Sequence, residues 1–154
     1  MDHVDYEGWA DFILHLIGDE VEKSNPSILE LGCGTGRVLL PIAMEGVRCT
    51  GLDASPAMLE VLRSKKPPNN LRLVEGTLQD FDLGTDRFQL IFSAFRVFQH
   101  LYTVEDQLDC LACVRRHLAP GGALAFDAFV PRIDRMAIER EEESEDTRFQ
   151  QGGD

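Results

Sequence analysis

Five short apolar runs, separated by longer amphipathic segments, constrain the fold of this 154-residue chain more than any other feature of its sequence. The runs are mostly continuous in apolar character, whereas a strand with one solvated face would alternate apolar and polar residues. We therefore expect a parallel sheet that helices cover on both faces, in a doubly wound α/β fold. The predicted strands are 27–31, 47–52, 71–75, 88–94 and 123–129.

The segments between the runs carry helix signals. Residues 5–23 repeat apolar side chains at spacings of three and four. Ser55 precedes Pro56, as an N-cap precedes a proline at the first helical position. Thr103 with Asp106 resembles a capping box that has a shortened acid. The predicted helices are 5–23, one from Val38 to near Gly46, 56–66, and one after Thr103 that buries Leu108, Leu111, Ala112, Val114 and Leu118, followed by a turn at Pro120-Gly121-Gly122.

A glycine-rich loop follows the first predicted strand and opens the second predicted helix. Gly32, Gly34 and Gly36 are spaced G-x-G-x-G, and glycine is needed where the backbone approaches a ligand closely or takes a positive φ. The dinucleotide fingerprint requires its third glycine where this chain has Arg37. No Gly-Lys-Ser or Gly-Lys-Thr phosphate loop occurs. The loop therefore indicates a nucleotide-type ligand other than NAD or ATP.

Asp53 lies 21 residues after Gly32, at the end of the second predicted strand. A carboxylate in this place can accept hydrogen bonds from both hydroxyl groups of a ribose. A ribose beside a tight glycine loop without a pyrophosphate indicates an adenosine attached to a small group. A plain glycine turn with a helix-capping aspartate is the alternative for each feature taken alone.

Three segments can be compared with known motifs: E-L-G-C-G-T-G-R (30–37), G-L-D-A-S-P-A-M-L (51–59) and L-A-P-G-G-A-L-A-F-D (118–127). Together they resemble class I S-adenosylmethionine-dependent methyltransferases of the bacterial small-molecule type, over roughly residues 5–130. The resemblance implies a Rossmann-like fold with about five mostly parallel strands in the order 3-2-1-4-5. It also implies methyl transfer from S-adenosyl-L-methionine to a small-molecule acceptor, with S-adenosyl-L-homocysteine as the product.

The resemblance assigns residues to the methionine end of the cofactor. Glu30 would lie near the cofactor ammonium group. Arg37 would meet the cofactor carboxylate, or would lie on the surface. The residues that would surround the methionine part are Gly32, Cys33, Gly34 and Gly36.

The adenosine end is assigned in the same way. Asp53 would bind the ribose, and Ala54 and Met58 would flank the adenine, where a thioether suits a flat ring; plain core filling is the alternative for Met58. Thr77 stands where the family often has an acid that contacts the adenine amino group. The backbone of Leu78 would then contact the ring edge.

The acceptor is expected beyond the carboxyl ends of the strands, as in other open α/β sheets. Residues 94–102, which begin at Ala94, concentrate aromatic and basic side chains after the fourth predicted strand. Ala94 itself is expected to contact the cofactor. His100 is the candidate general base, because its unperturbed pKa lies near neutrality; packing against the next helix, or capping it, is the alternative. Arg96 would pair with an acidic acceptor or form a surface ion pair, and His3, His15 and His117 are expected on the surface.

Charge and cysteine content limit the partners and the compartment. With 27 acidic and 15 basic residues, the net charge of −12 disfavours nucleic acid and anionic membranes as partners. We expect no transmembrane segment and no signal peptide, because no apolar run is long enough and the first nine residues lack lysine and arginine. The expected compartment is the cytoplasm, with four free thiols. Cys110 and Cys113 lie within a predicted helix and no second pair completes a zinc site, so no metal is expected.

Two regions are expected: a cofactor-binding methyltransferase core at 1–130 and a charged C-terminal tail at 131–154. Family members usually continue past the fifth strand with a helix and two more strands, so this strand would be an exposed edge. A fragment, a natural short form or a homodimer through that edge would each explain the pattern. Two functions stay open: an active small-molecule methyltransferase, and a non-catalytic or truncated cofactor-binding module that self-associates.

Overall fold

The computed structural model of the protein describes residues 6–24 and 26–129. His3 and the predicted tail at 131–154 lie outside the described residues. The helices are α1 (Tyr6–Ser24), α2 (Leu39–Met44), α3 (Pro56–Ser64) and α4 (Val104–His117), with a 3₁₀ turn at Val97–His100. The strands are β1 (Ser27–Leu31), β2 (Arg48–Asp53), β3 (Leu71–Glu75), β4 (Phe88–Ser93) and β5 (Leu118–Phe126).

The five strands form one sheet in the order β3-β2-β1-β4-β5, and every pair of neighbours is parallel. The predicted fold class and strand order are confirmed. β1 is the central strand and all five of its residues are buried. Its end therefore meets the ends of β2 and β4 at one edge of the sheet, with Glu30 opposite Gly51 on one side and Phe92 on the other.

Each face of the sheet has its own apolar core, which explains the continuous apolar runs in the sequence. Ile28 points into a core that α1, α2 and α3 cover, and the next residue, Leu29, points into a core that α4 covers. The first core holds Ile13, Ile17, Leu39, Ile42, Leu59 and Leu62, and the second holds Leu31, Phe88, Ile91, Cys110 and Val114.

The caps of α3 and α4 are as predicted. The Ser55 hydroxyl accepts a hydrogen bond from the Met58 backbone at 3.4 Å, and Pro56 occupies the first turn. The Thr103 hydroxyl accepts from the Asp106 backbone at 3.0 Å and donates to its carboxylate at 2.7 Å. Ser55 and Thr103 therefore satisfy backbone donors that a helix start leaves unpaired.

The prediction for the buried face of α4 is confirmed for Val114 and wrong for three other residues of the stripe. Leu108 is 60% exposed, Leu111 is 37% exposed and Ala112 is also exposed. The buried residues of this helix are Cys110, Cys113, Val114 and His117. The pattern of leucines did not identify the buried face, because cysteine and a fully hydrogen-bonded histidine can be buried as readily as leucine.

His117, expected on the surface, is 1% exposed and hydrogen-bonded on both sides of its ring. The Leu83 backbone N–H donates to Nε2 at 2.9 Å, and Nδ1 lies 2.8 Å from the carbonyl oxygen of Cys113. Nε2 is therefore an acceptor, and Nδ1 carries the proton of a neutral imidazole. This ring joins α4 to the loop before β4.

The prediction for the last strand is also corrected. β5 begins at Leu118 and ends at Phe126, so the expected turn at Pro120-Gly121-Gly122 lies within it. Phe88 pairs with Leu118 but Leu90 pairs with Ala123, which is a bulge in β5. A bulge accommodates proline and glycine that a regular strand would exclude.

All four cysteines are buried free thiols. Burial and the neighbouring Cys113 raise the pKa of the Cys110 thiol to about 11, which disfavours its reactive thiolate form. None of the helices in the described part of the chain combines the length and apolar character that a bilayer crossing requires.

Candidate active site

A cavity of about 260 Å³ lies where the carboxyl ends of β1, β2 and β4 meet, and we call it the glycine-loop cavity. Ligands of open α/β sheets bind at this edge. Its lining residues are Tyr6, Glu30, Gly32, Cys33, Gly34, Thr35, Arg37, Val38, Met58, Ala94, Phe95 and Val97. The structure thus brings together Glu30, Gly32, Cys33, Gly34, Arg37, Met58 and Ala94 from the predicted cofactor set. A larger cavity of about 530 Å³ lies at the opposite edge, beside Arg48 and Arg72, where the strands begin.

The glycine loop is held against the end of β2. The backbone N–H groups of Gly32 and Cys33 both donate to the Leu52 carbonyl oxygen, at 2.8 and 3.0 Å. The Gly34 N–H donates to Asp53 Oδ2 at 2.7 Å. Asp53 Oδ1 accepts from the Ser55 backbone at 2.8 Å. Asp53 therefore shapes the loop itself, a role that the sequence argument for ribose binding did not anticipate.

Gly34 and Gly36 of the loop are required for different structural reasons. A Cβ at Gly36 would lie 2.4 Å from Leu62 Cδ1, and Gly36 does not line the cavity. Gly36 is therefore required by packing against α3, and its predicted cofactor contact stays a prediction. Gly34, at φ +51°, lines the cavity, and a Cβ there would meet no atom within 4 Å. At Gly34 the missing side chain leaves the cavity open.

Glu30 places a carboxyl group at the cavity with one oxygen unsatisfied. The side chain is 3% exposed, and Oε2 has no hydrogen-bond partner among the described residues. Burial raises the pKa of this carboxyl well above its usual range, and the nearby Asp53 charge adds to the rise, while a hydrogen bond from the Leu39 backbone opposes it. A buried polar atom without a partner is costly, so this oxygen suits a ligand that donates a hydrogen bond, above all a cationic one.

Cys33 is a packing residue in this loop. It is 5% exposed, and burial raises its pKa far above the usual thiol range, with the charges of Glu30 and Asp53 adding to the rise. Its Sγ would lie 2.7 Å from a Cβ at Gly51, so the thiol occupies the space that this glycine leaves. A protonated thiol without access to solvent is a poor nucleophile.

One wall of the cavity is aromatic, and sequence reasoning missed it. The rings of Tyr6 and Phe95 lie 4.5 Å apart between centroids, and Trp9 lies 6.2 Å from Phe95. Arg37 places its Cζ 4.7 Å over the Tyr6 ring, so its side chain contacts α1. Tyr6 and Phe95 are 89 positions apart. No local pattern connects them, and only the docking of α1 brings them together.

The predicted adenosine contacts do not line this cavity. Asp53 and Ala54 lie beside it at the end of β2, and Asp53 reaches it through Gly34. Thr77 is exposed, and Leu78 packs against the core under α4. The cofactor contacts of Ala54, Thr77 and Leu78 stay predictions.

His100 lies in a neighbouring cavity of about 500 Å³, which we call the aromatic cavity. Its lining residues are Phe95, Arg96, Gln99, His100, Tyr102 and Phe129, so Phe95 belongs to both cavities. His100 Nδ1 lies 3.4 Å from the Tyr102 hydroxyl, a long hydrogen bond between two exposed side chains. The arrangement can hold a small molecule next to the glycine-loop cavity, with an imidazole beside it. Among the described residues, no group of three or more histidine, cysteine, aspartate or glutamate side chains could hold a metal ion.

Fold and site together define a doubly wound α/β domain with a glycine loop and two adjoining cavities at the edge of the sheet where such domains bind ligands. Comparison with known families matches residues 28–122 to the methyltransferase domain family. The chain therefore belongs to this family, and the resemblance stated from the motifs is confirmed.

Individual relatives point in the same direction. The chain is 31% identical to the cypemycin N-terminal methyltransferase of a Streptomyces species over 105 residues, which are 68% of this chain and 42% of that protein. It is 31% identical over 123 residues to the dTDP-3-amino-3,4,6-trideoxy-alpha-D-glucopyranose N,N-dimethyltransferase of Streptomyces venezuelae, covering 80% of this chain and 50% of that one. The chain thus spans about half the length of these curated relatives.

A solved structure with bound cofactor is also similar. This is CalS10, an amino pentose methyltransferase from Micromonospora echinaspora with bound SAM, at 30% identity and a TM-score of 0.72. The match covers 82% of this chain and 52% of CalS10.

Proposed function

We propose that this chain is the cofactor-binding core of an S-adenosyl-L-methionine-dependent methyltransferase that acts on a small-molecule acceptor. The observation that carries the proposal is the buried Glu30 oxygen, which has no hydrogen-bond partner among the described residues and lies at the cavity below a glycine loop that Asp53 holds. The relatives are named as an N-terminal methyltransferase of cypemycin and an N,N-dimethyltransferase of a dTDP-linked amino sugar, and both names support the same function.

The residues present fit this cofactor. Its ammonium group would satisfy Glu30 Oε2, and the open side of Gly34 leaves room for the methionine part. Each oxygen of Asp53 accepts one backbone hydrogen bond, so a further lone pair on each is free to accept from a ribose hydroxyl. Met58 is 47% exposed at the cavity rim, where its thioether would contact the adenine.

When bound, the cofactor supplies an electrophilic methyl group on a sulfonium sulfur. The aromatic wall of Tyr6 and Phe95 would shield that cationic centre from water. The aromatic cavity would hold the acceptor close and aligned, which in-line displacement requires. His100 would accept the proton that the acceptor loses, which leaves the acceptor lone pair free to attack.

Calorimetric titration with S-adenosyl-L-homocysteine tests the proposal, with NAD as the comparison ligand. We expect micromolar binding of the first ligand alone. Asp53→Ala should remove most of the binding, while Asp109→Ala, which changes an exposed carboxylate on α4, should leave it unchanged. Binding of NAD, or of neither ligand, would contradict the cofactor assignment.

The alternative function, a cofactor-binding module without catalysis, differs in one observable. Both functions require binding of S-adenosyl-L-homocysteine, whereas turnover of an acceptor belongs to the enzyme alone. The enzyme is favoured because the relatives are named as methyltransferases and because a second cavity adjoins the first. Release of S-adenosyl-L-homocysteine in a screen of amine, hydroxyl and carboxylate acceptors is the deciding measurement.

Self-association through β5 is part of the proposal. Among the described residues β5 is an edge strand of the sheet, and Phe126 and Phe129 are 46% and 56% exposed at its end. An unpaired strand edge favours pairing with another chain. Light scattering should give the mass of a dimer at high concentration, and a monomer throughout the range would contradict this.

The remaining assignments concern the compartment and the two regions of the chain. Four buried free thiols support a cytoplasmic location, and the net charge of −12 supports a small molecule over a nucleic acid as partner. Fractionation of cells that produce the protein tests the cytoplasmic location, and recovery outside the cytoplasmic fraction would contradict it. Limited proteolysis should leave a core that ends near residue 130, and cleavage within 26–129 instead would contradict the division.

A further inference from the structure

Two consecutive residues after β4 adopt a backbone conformation that side chains disfavour. Phe95 has φ +57° and Arg96 has φ +62°, both in the left-handed region and neither a glycine. Such conformations persist only where the surroundings hold them, and they cluster at functional sites.

The segment after β5 holds this pair in place. The Arg96 backbone N–H donates to Asp127 Oδ1 at 2.8 Å. Three residues further on, Gln99 exchanges two hydrogen bonds with the backbone of Phe129: Oε1 accepts at 2.8 Å and Nε2 donates at 3.2 Å. Three hydrogen bonds therefore hold the loop that contains Arg96 and Gln99 against the segment after β5.

The strained pair distributes its side chains between the two cavities. Phe95 packs against the Tyr6 ring at an interplanar angle of 56° and lines both cavities. Arg96 lines only the aromatic cavity, with its Cζ 5.4 Å from the centre of the Phe129 ring. The backbone conformation thus places a guanidinium beside the site where the proposed acceptor would sit.

Within residues 6–24 and 26–129, no ion pair involves the guanidinium of Arg96. Asp127 lies nearby, but its hydrogen bond is to the Arg96 backbone. The other lining groups are an amide, an imidazole and three aromatic rings. A cationic group in this setting suits an oxyanion, and the ring faces suit a flat molecule.

We propose that the aromatic cavity takes a flat acceptor that carries an oxyanion, a carboxylate or a phosphate, and that Arg96 determines this specificity. The inference rests on the proposed function for the role of the cavity as an acceptor site. Its binding chemistry is separable from that function, because Arg96 lines the aromatic cavity and not the glycine-loop cavity.

Binding of four flat probes tests the inference: benzoate, phenyl phosphate, benzamide and benzylamine. Saturation-transfer NMR titrations give the affinity of each, for the protein alone and for the protein with S-adenosyl-L-homocysteine. The variants are Arg96→Gln and Arg96→Gly. The glycine variant relieves the left-handed strain and therefore keeps the fold. Arg63→Gln, on the exposed face of α3, is the matched control.

We expect benzoate or phenyl phosphate to bind roughly ten-fold more tightly than benzamide, as for a charge-assisted hydrogen bond at an open site. Both Arg96 variants should reduce that preference to about two-fold or less, and Arg63→Gln should retain it. The better of the two anions identifies the oxyanion.

Three results would overturn the inference: equal or tighter binding of benzylamine or benzamide, no binding of any probe, or a preference that survives both Arg96 variants. If the anions bind as expected but S-adenosyl-L-homocysteine does not, the cofactor assignment fails and the anion site stands. If S-adenosyl-L-homocysteine binds but the anions do not, the proposed function stands and the anion site is overturned.

Discussion

Alanine at Gly36 is expected to destabilise the protein much more than alanine at Gly34, although both glycines belong to one loop and both have a positive φ. At Gly36 the new Cβ would lie 2.4 Å from Leu62 Cδ1 and 2.9 Å from Cδ2. Leu62 is fully buried, so it cannot move aside without disturbing the core under α3. Overpacking of this kind costs about 1–3 kcal/mol and the left-handed backbone about 1–2 kcal/mol more, so the loss should be about 2–5 kcal/mol.

At Gly34 only the backbone contribution applies. A Cβ there would meet no atom within 4 Å, so the expected loss in the free energy of unfolding is about 1–2 kcal/mol. The methyl group would instead reduce the space beside the glycine-loop cavity, so binding of S-adenosyl-L-homocysteine should weaken. Gly84→Ala is the matched control, because Gly84 has φ +64°, also has open space and lies outside this cavity.

Urea unfolding and calorimetry measure the two effects separately. Trp9 is the single tryptophan of the chain and packs against Phe95, so its fluorescence reports unfolding. Gly34→Ala and Gly84→Ala should have similar stability, but only Gly34→Ala should lose ligand affinity. The reasoning is refuted if Gly36→Ala is no less stable than Gly34→Ala, or if Gly34→Ala binds the ligand as tightly as Gly84→Ala.

Further predictions concern the carboxyl, the buried imidazole and the aromatic wall. Because the pKa of Glu30 is raised in the folded protein, this carboxyl loses its proton at a lower pH in the unfolded chain than in the folded one. The free energy of unfolding should therefore fall as pH rises from the ordinary carboxyl range towards that raised pKa, by up to about 1.4 kcal/mol per pH unit. In urea unfolding at pH 5–8, Glu30→Gln should remove this pH dependence of the free energy of unfolding. An unchanged pH dependence in the variant would show that another group is responsible. His117→Ala should cost about 2–4 kcal/mol, because it leaves a cavity and an unpaired Leu83 N–H, without changing ligand affinity by calorimetry; an affinity loss would contradict its purely structural role. Tyr6→Ala should weaken S-adenosyl-L-homocysteine binding about five-fold by releasing Arg37, and Tyr6→Phe should not; equal losses would show that the hydroxyl, and not the ring face, matters.

Long-range contacts limited what could be predicted about the site. Glu30, Gly34 and Asp53 belong to motifs of known spacing, so their shared location followed from the sequence once the fold was assigned. The second role of Asp53 did not, because its bond to the Gly34 backbone depends on how the loop docks on β2. The packing reason for Gly36 likewise depends on Leu62, a residue of another helix.

The errors in the sequence reading have a common cause. The stripe on α4 was predicted from Leu108 and Leu111, which are exposed, whereas His117, expected on the surface, is buried. The decisive partner of His117 is the backbone of Leu83, 34 positions away. A side chain that is polar in the sequence becomes compatible with the core only when the fold supplies its hydrogen bonds.

The sequence by itself determined the doubly wound sheet, its helix caps, the glycine loop and the family. These features depend on apolar periodicity, capping residues and motif spacing, which act over a few neighbouring positions. The tertiary structure decided that Tyr6 joins Phe95 at one cavity and that Arg96 is directed to the other. It also decided that Asp127 holds the strained turn between them. These contacts join segments far apart in the chain, so their geometry is set by the docking of α1 and β5 on the sheet and by no local pattern.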